Sequence, residues 1–329
     1  MVKKVIASRY GAIGDHIFLT PVWKLLKRDG YHITYDTNKR GVIVNENNPY
    51  IDEYIIHPDE DRDWDELQKK WEGLKNSCDK YINFTQTIEV RLLPGKGDQL
   101  FWESKEERHR QCNINYFDYT LSHAGYPHIR GERPKLWISE SEDRICKKFM
   151  RRYDEQDFVI LWLLSGSSFH KAYPWSEFVV EEIRKRIPRV RWITLGDDVC
   201  RAIEWEGKDT YNASGAWNIR KSLIMTKYVD MVIGPETGVM NAAGAFDTPK
   251  VLMLSHSTEE NISKYWKNTI SLHAPEEIKC HPCHRLIHNR NDCPLASASQ
   301  APSCIANVRP LDIIRGIEHF HEMKSRRAA

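Results

Sequence analysis

Long hydrophobic runs are missing from this 329-residue sequence, in which no stretch approaches the roughly 18 apolar residues of a membrane-spanning helix. Residues 1–8 lead straight into a strand pattern and lack the apolar core of a secretory signal. An excess of one charge is missing too, because 48 basic and 46 acidic side chains leave a net charge of +2. This balance gives no general attraction to nucleic acid or lipid, although it is compatible with a local basic groove. We expect a cytoplasmic protein with no membrane span.

The apolar residues that are present suffice for two hydrophobic cores. They make up 41% of the chain, and eleven tryptophans and fourteen tyrosines argue against disorder. Strand-length apolar stretches alternate with helical patterns throughout, and residues 158–164 form one uninterrupted apolar strand. This alternation predicts an α/β protein with two Rossmann-like, doubly wound domains, over residues 1–150 and 151–329. A ligand cleft is expected between them, at the carboxyl ends of the strands.

Several local features carry structural expectations. Pro21 lies inside the first helical pattern, so a kink or a late helix start is expected there. Ser176 is expected to cap the helix that follows it. The mixed charges of 103–110 suggest a solvated helical face, and the final helix, 311–324, is expected to pack back across the two domains.

The stretch from residue 228 to 249 organises the second half. A short apolar strand, 231–233, stops at Gly234-Pro235, and a helix of small residues begins just beyond it. A helix that starts at the carboxyl edge of a sheet presents unpaired N–H groups and the positive end of its dipole, which suits a phosphate. The alternative is an ordinary strand–turn–helix unit without a ligand.

Three patches of the sequence resemble glycosyltransferase family nine, the group named for the ADP-heptose:lipopolysaccharide heptosyltransferases. In the family's order they are Gly14-Asp15 followed by Thr20-Pro21, the loop Ser165 to Ser168 with Lys171 and Pro174, and the motif at 234–241. The sequence departs from the family at two positions of the third patch, where Glu236 replaces the usual Asp and Asn241 the usual His.

The resemblance implies a GT-B fold and transfer of a sugar from a nucleotide-diphosphate sugar to an acceptor hydroxyl, with inversion and without a catalytic metal. The first domain would bind the acceptor, which is a glycan in the family, and the second would bind the donor. Asp15 would be the base and Lys171 the cation at the leaving diphosphate. The residues alone favour simpler interpretations, with Asp15 as the N-cap of the first helix and Lys171 as an exposed loop lysine.

The donor-binding residues implied by the same patches lie in loops after strands. Glu236 is expected to bind sugar or ribose hydroxyls, since a carboxylate repels a diphosphate. Gly196 and Asp197, which end a predicted strand outside these patches, would lie near the nucleotide base. The predicted donor-binding set is Gly14, Ser165, Gly166, Ser167, Ser168, Gly196, Asp197, Glu236, Thr237 and Gly238.

Four cysteines near the end of the chain form a separate candidate site. Cys280 and Cys283 make a C-x2-C pair, and Cys293 and Cys304 follow within 25 residues. Four thiolates are able to close a tetrahedral structural zinc site, although the second pair is spaced too widely for the strong signature. Disulfides and unlinked thiols are the alternatives.

Three other functions fit the same sequence. A sugar epimerase or hydrolase on this fold would need no acceptor, and a non-catalytic nucleotide-sugar-binding protein would show no turnover. A modified nucleic-acid base is the alternative acceptor, suggested by the basic residues Arg108, Arg110, Lys147, Lys148, Arg151 and Arg152.

Overall fold

Two parallel β-sheets, one in each half of the chain, form the framework of the protein. The computed structural model describes residues 2–58, 64–88, 92–93, 100–166, 168, 171–287 and 292–328. The first sheet contains β1 (Lys3–Arg9), β2 (Tyr31–Asn38), β3 (Glu53–His57) and β4 (Lys80–Asn83), in the order β3-β2-β1-β4. All of its pairings are parallel.

Helices connect and cover these strands. In the first half they are α1 (Ile13–Arg28), α2 (Lys39–Val44), α3 (Trp64–Lys75), α4 (Lys105–Cys112), α5 (Tyr116–His123) and α6 (Glu140–Met150). The buried residues of α1 include Ile17, Val22 and Leu26, which recur at helical spacing. Helix α1 runs through Pro21 without a break and begins at Ile13, so the expected late start at this proline is wrong.

The second sheet has six parallel strands. They are β5 (Phe158–Leu163), β6 (Val190–Leu195), β7 (Thr210–Asn212), β8 (Met231–Pro235), β9 (Lys250–Met253) and β10 (Thr269–Leu272), in the order β10-β9-β8-β5-β6-β7. All six residues of β5 are buried because helices cover both faces of the sheet. Residues Phe158, Ile160 and Trp162 pack into one core, whereas Val159 and Leu161 pack into the other.

The helices of the second half are α7 (Ser176–Arg186), α8 (Ile219–Met225), α9 (Gly238–Ala243), α10 (Glu259–Ile262), α11 (Ser303–Ala306) and α12 (Pro310–Ala328). Trp175, not Ser176, occupies the N-cap position of α7, so that expected cap is wrong. Helix α12 packs against α7, β9 and β10 of its own half. The expected packing of this helix across the two domains stays a prediction.

The two halves of the chain pack against each other. Cys146 and Phe149 of α6 precede residue 150, yet they are buried in the core that covers one face of the second sheet. Arg220 of α8 is buried and ties the halves together, with Nε donating to Glu142 at 2.7 Å and Nη2 to the Trp137 carbonyl at 2.5 Å. The domain boundary at residue 150 stays a prediction.

The order of strands places the loop after β1 and the loop after β5 at equivalent points of the two sheets. β1 lies between β2 and β4, and β5 lies between β6 and β8, so in each sheet the connections leave the central strand in both directions. Ligands of open α/β sheets bind at such switch points, beyond the carboxyl ends of the strands. The loop that follows β1 and the loop that follows β5 therefore mark where a ligand would lie.

The buried His16 of α1 predicts a pH-dependent stability. Its Nδ1 lies 2.6 Å from the Tyr35 hydroxyl, and burial, with the Arg9 charge, lowers its pKa to about 3. The unfolded chain binds this proton below about pH 6.5 and the folded chain does not, so acidification removes stability, by about 2 kcal/mol between pH 7 and pH 5.

Urea unfolding at pH 7 and pH 5 measures this loss. His16→Gln should lose less stability over that interval than the parent, whereas His319→Gln, which changes an exposed histidine, should behave as the parent does. An equal loss in all three proteins would show that His16 does not cause the effect.

Candidate active site between the two sheets

A cleft of about 970 Å³ opens between the carboxyl edges of the two sheets. The loops that follow β1, β5, β6 and β8 line it, together with His256 beyond β9. Two predicted residues differ: Ser168 is buried but is not part of the lining, and Ser167 lies outside the described residues. The predicted residues that do line the cleft are Gly14, Asp15, Ser165, Gly166, Lys171, Gly196, Asp197, Glu236, Thr237 and Gly238.

Asp15 is held at the cleft by two contacts. Its Oδ2 accepts a hydrogen bond from the Ala12 N–H at 2.7 Å, and its Oδ1 lies 3.0 Å from the guanidinium of Arg9. Ala12 occupies the N-cap position of α1 and Asp15 the third helical position, so the interpretation of Asp15 as the N-cap residue is wrong. The carboxylate still satisfies the start of the helix, while 21% of the side chain stays exposed.

Two residues that the sequence analysis missed position Asp15. Arg9 is 1% exposed, and its Nη1 donates to the Phe84 carbonyl at 2.5 Å and to Thr87 Oγ1 at 3.1 Å. Gly11 has a φ of +124°, and a Cβ at this position would lie 2.6 Å from Asp15 Oδ2. A glycine therefore gives the loop both its backbone conformation and the space for the carboxylate.

Lys171 is a buried cation that faces the cleft. Its side chain is 7% exposed, so the interpretation as an exposed loop lysine is wrong. Burial lowers its pKa, and the nearby charges of Glu236 and Asp15 oppose that shift. None of the described residues hydrogen-bonds the ammonium. A desolvated ammonium without such a partner is well suited to an anionic ligand.

Glu236 accepts hydrogen bonds from residues 255–257, the segment after β9. Its Oε1 accepts from the N–H of Ser255 at 3.0 Å, from the Ser255 hydroxyl at 2.5 Å and from the N–H of His256 at 2.9 Å. Ser257 donates to the other oxygen. Burial favours the protonated acid, but the charges of His256 and Lys171 prevail and hold the pKa of Glu236 well below its usual range. The expected bond from Glu236 to sugar or ribose hydroxyls stays a prediction.

The start of α9 meets the start of α1 at the floor of the cleft. Thr237 is the N-cap residue of α9, and its Oγ1 accepts from the Met240 N–H at 3.1 Å. A Cβ on Gly238 would lie 2.7 Å from Ile13 Cγ2 and 3.0 Å from the Gly14 nitrogen. The absence of a side chain on Gly238 therefore permits the close approach of the two helices.

A third part of the lining follows β6. Asp197 is exposed, and its Oδ1 accepts from the Cys200 N–H at 3.1 Å. Trp217 and Ser222, which the sequence analysis did not single out, line the same cleft. An indole beside small polar residues has the chemistry to contact a planar nucleotide base.

Three of the six basic residues that suggested a nucleic-acid acceptor have partners within the protein. Arg108 is buried and donates to the Cys283 carbonyl at 2.7 Å. Arg110 pairs with Glu107 at 2.5 Å, and Lys147 pairs with Asp143 at 2.8 Å. These contacts weaken the argument for a nucleic-acid groove at this surface.

Comparison with known proteins identifies the fold. No family model and no curated protein sequence matches the chain. A family 9 glycosyltransferase structure from Veillonella parvula superposes with a TM-score of 0.70 at 15% identity, over 98% of this chain and 97% of the other. The Escherichia coli ADP-heptose lipopolysaccharide heptosyltransferase II superposes with a TM-score of 0.66 at 12% identity, over 98% and 99%.

A third structure, the dodecameric iron-containing heptosyltransferase TibC with ADP-D-β-D-heptose, gives a TM-score of 0.63 at 12% identity, over 98% of this chain and 78% of the other. The predicted GT-B arrangement of two Rossmann-like sheets is confirmed, as is the resemblance to family 9 at the level of the fold. Within the described residues, no helix has the length and apolarity to cross a bilayer.

The four C-terminal cysteines are free thiols. Burial and neighbouring thiols raise the pKa of Cys283 to about 11 and that of Cys293 to about 12. These sulfurs are therefore close enough to interact electrostatically. Across the described ranges, however, no group of three or more His, Cys, Asp or Glu residues is arranged to hold a metal ion. The structural zinc stays a prediction.

Metal analysis of protein prepared without chelator tests that prediction, with about one zinc per chain expected. Cys283→Ser should lose the metal and some thermal stability, whereas Cys78→Ser, which changes a thiol far away in sequence, should keep both. A zinc-free parent protein of unchanged stability would refute the site.

Proposed function

We propose that the protein is a glycosyltransferase that moves a sugar from a nucleotide-diphosphate donor to an acceptor hydroxyl, with inversion and without a catalytic metal. The observation that carries the proposal is the pairing of Asp15 and Lys171 across one cleft, a held carboxylate on the first half and a buried ammonium on the second. The similar folds of known heptosyltransferases support it and suggest an ADP-heptose-like donor.

The leaving group is assigned to the second half. Negative charge grows on the diphosphate as its bond to the anomeric carbon breaks, and preorganised cations and N–H donors stabilise that charge. Lys171 supplies a cation, and the start of α9 at Gly238 supplies backbone N–H groups. These donors perform the task that a divalent cation would otherwise perform.

The acceptor is assigned to the first half. Its hydroxyl must lose a proton as the oxygen attacks, and a carboxylate within hydrogen-bond reach is able to accept that proton. Asp15 lies on the first half at the cleft, and Arg9 limits its movement. One carboxylate opposite the leaving group fits a single displacement, which inverts the anomeric centre.

The wider context is consistent with this activity. The eight cysteines are free, as is usual for proteins of the reducing cytoplasm, so we retain the cytoplasm as the proposed compartment. A glycan is the proposed acceptor class. A modified nucleic-acid base is the less favoured alternative because three of the six basic residues are buried or paired.

Asp15→Asn should lower transfer by about 10² or more, because the amide cannot accept the proton. The affinity for the donor should change little, since Asp15 lies on the other half. Steady-state kinetics and calorimetric binding measure the two effects. Asp29→Asn, at the opposite end of α1, is the matched control. Transfer at the parental rate would reduce Asp15 to a structural role.

Lys171→Ala should lower kcat by about 10²–10³ and weaken donor affinity less, because its interaction strengthens in the transition state. Lys171→Arg should restore activity only in part, since a planar fork does not reproduce a compact charge. Lys185→Ala, at an exposed helical site, is the control. If Lys171→Ala binds the donor more weakly and the parent protein transfers no sugar to any acceptor, the chain is a binding protein. If the parent releases free sugar without an acceptor, it is a hydrolase.

A further inference from the structure

Tyr116 is a cleft residue with an unused hydrogen-bonding group. It is the first residue of α5, is 4% exposed and forms part of the cleft lining. Its ring packs edge-on against Phe18, with 5.4 Å between the ring centroids, which limits the movement of the hydroxyl. That hydroxyl is buried and has no hydrogen-bond partner among the described residues. Burial and the charge of Glu236 raise the pKa of Tyr116 well above its usual value, so the group keeps its proton and is able to donate.

Asn241 is a second cleft residue of this kind, on the other half of the chain. It lies in α9 and is 6% exposed, and its Oδ1 is buried without a hydrogen-bond partner in the described part of the chain. A Cβ on Gly14 would lie 3.0 Å from Asn241 Nδ2, so the amide lies beside the start of α1, next to Asp15. A buried polar group without a partner destabilises the folded protein. Two of them in one cleft indicate a ligand that supplies the partners.

The chemistry of these two groups identifies the part of the ligand that they bind. The oxygen of an amide only accepts hydrogen bonds, so the partner of Asn241 Oδ1 must be a donor. An ionised diphosphate offers acceptor oxygens and no O–H group, whereas a sugar hydroxyl both donates and accepts. The hydroxyl of Tyr116 also does both. The two side chains therefore suit the hydroxyls of a sugar, in contrast to the ammonium of Lys171, which suits a phosphate.

The positions of the two groups agree with this assignment. In the proposed reaction the sugar lies between Asp15, toward which the acceptor binds, and Lys171, toward which the diphosphate leaves. These two charges are close enough for Asp15 to affect the pKa of Lys171. Tyr116 lines the same cleft from the first half, within electrostatic reach of Glu236, and Asn241 lines it from the second.

We propose that Tyr116 and Asn241 form the subsite for the transferred sugar, in which each binds a sugar hydroxyl, and that they determine which sugar the enzyme accepts. The inference rests on the proposed function. It adds to that function a neutral hydrogen-bonding subsite, with one group from each half of the chain, beside the charged groups that serve the diphosphate and the acceptor.

Calorimetric binding of ADP and of ADP-heptose separates this subsite from the diphosphate contacts. Tyr116→Phe removes only the hydroxyl, and Asn241→Ala removes the amide. Each variant should bind ADP-heptose about threefold to tenfold more weakly than the parent, as expected for one lost hydrogen bond, while its Kd for ADP stays within about a factor of two. Tyr116→Phe should also keep or raise Tm, because it removes an unpaired buried hydroxyl from the free protein.

Tyr153→Phe is the matched control, because the hydroxyl of Tyr153 is also buried without a partner among the described residues but lies outside the cleft lining. It should bind both ligands as the parent does. Unchanged affinity for ADP-heptose in Tyr116→Phe or Asn241→Ala would overturn the inference, as would an equal loss of affinity for ADP and ADP-heptose. A loss confined to the KM of the acceptor would assign these groups to the acceptor and overturn it too. If the parent binds neither ligand, the proposed donor itself is wrong, and the inference falls with it.

Discussion

The close approach of two helix starts, α1 at Gly14 and α9 at Gly238, is the constraint on which the cleft depends. Only a residue without a Cβ at position 238 allows this contact, because a methyl group there would enter the space of Ile13. Ile17, Leu223 and Ala242 form a small apolar cluster across the same junction. The contact brings the carboxyl edges of the two sheets face to face, so that loops distant in sequence line one cavity.

Charge pairing then gives the cleft its chemistry. A buried charge is costly unless it is paired or hydrogen-bonded: Arg9 pairs with Asp15, and Glu236 accepts hydrogen bonds from Ser255 and His256. Lys171 has electrostatic neighbours but, among the described residues, no hydrogen-bond partner. The folded protein therefore carries the desolvation cost of one ammonium, and an anionic ligand would relieve it.

The sequence predicts the framework well because its signals are local. The apolar run of β5 and the helical stripe of α1 indicate their own structures. The sequence does not predict strands β7 and β10, because they are three and four residues long and only partly buried. Asp15 and Lys171 belong to short motifs. Arg9 and His256 do not, and their roles come from contacts with residues 75 and 20 positions away, which no local pattern reports.

The central claim is that the cleft binds a nucleoside diphosphate through its phosphates. A thermal-shift screen with nucleosides, nucleoside mono- and diphosphates and nucleotide sugars tests it most directly. A ligand at a hundredfold excess over its Kd stabilises the folded state by about 2.7 kcal/mol, which is readily measured. Diphosphate-bearing ligands of one base should raise Tm, whereas the matching nucleoside should not. Equal shifts with and without the diphosphate, or no shift with any ligand, would contradict it.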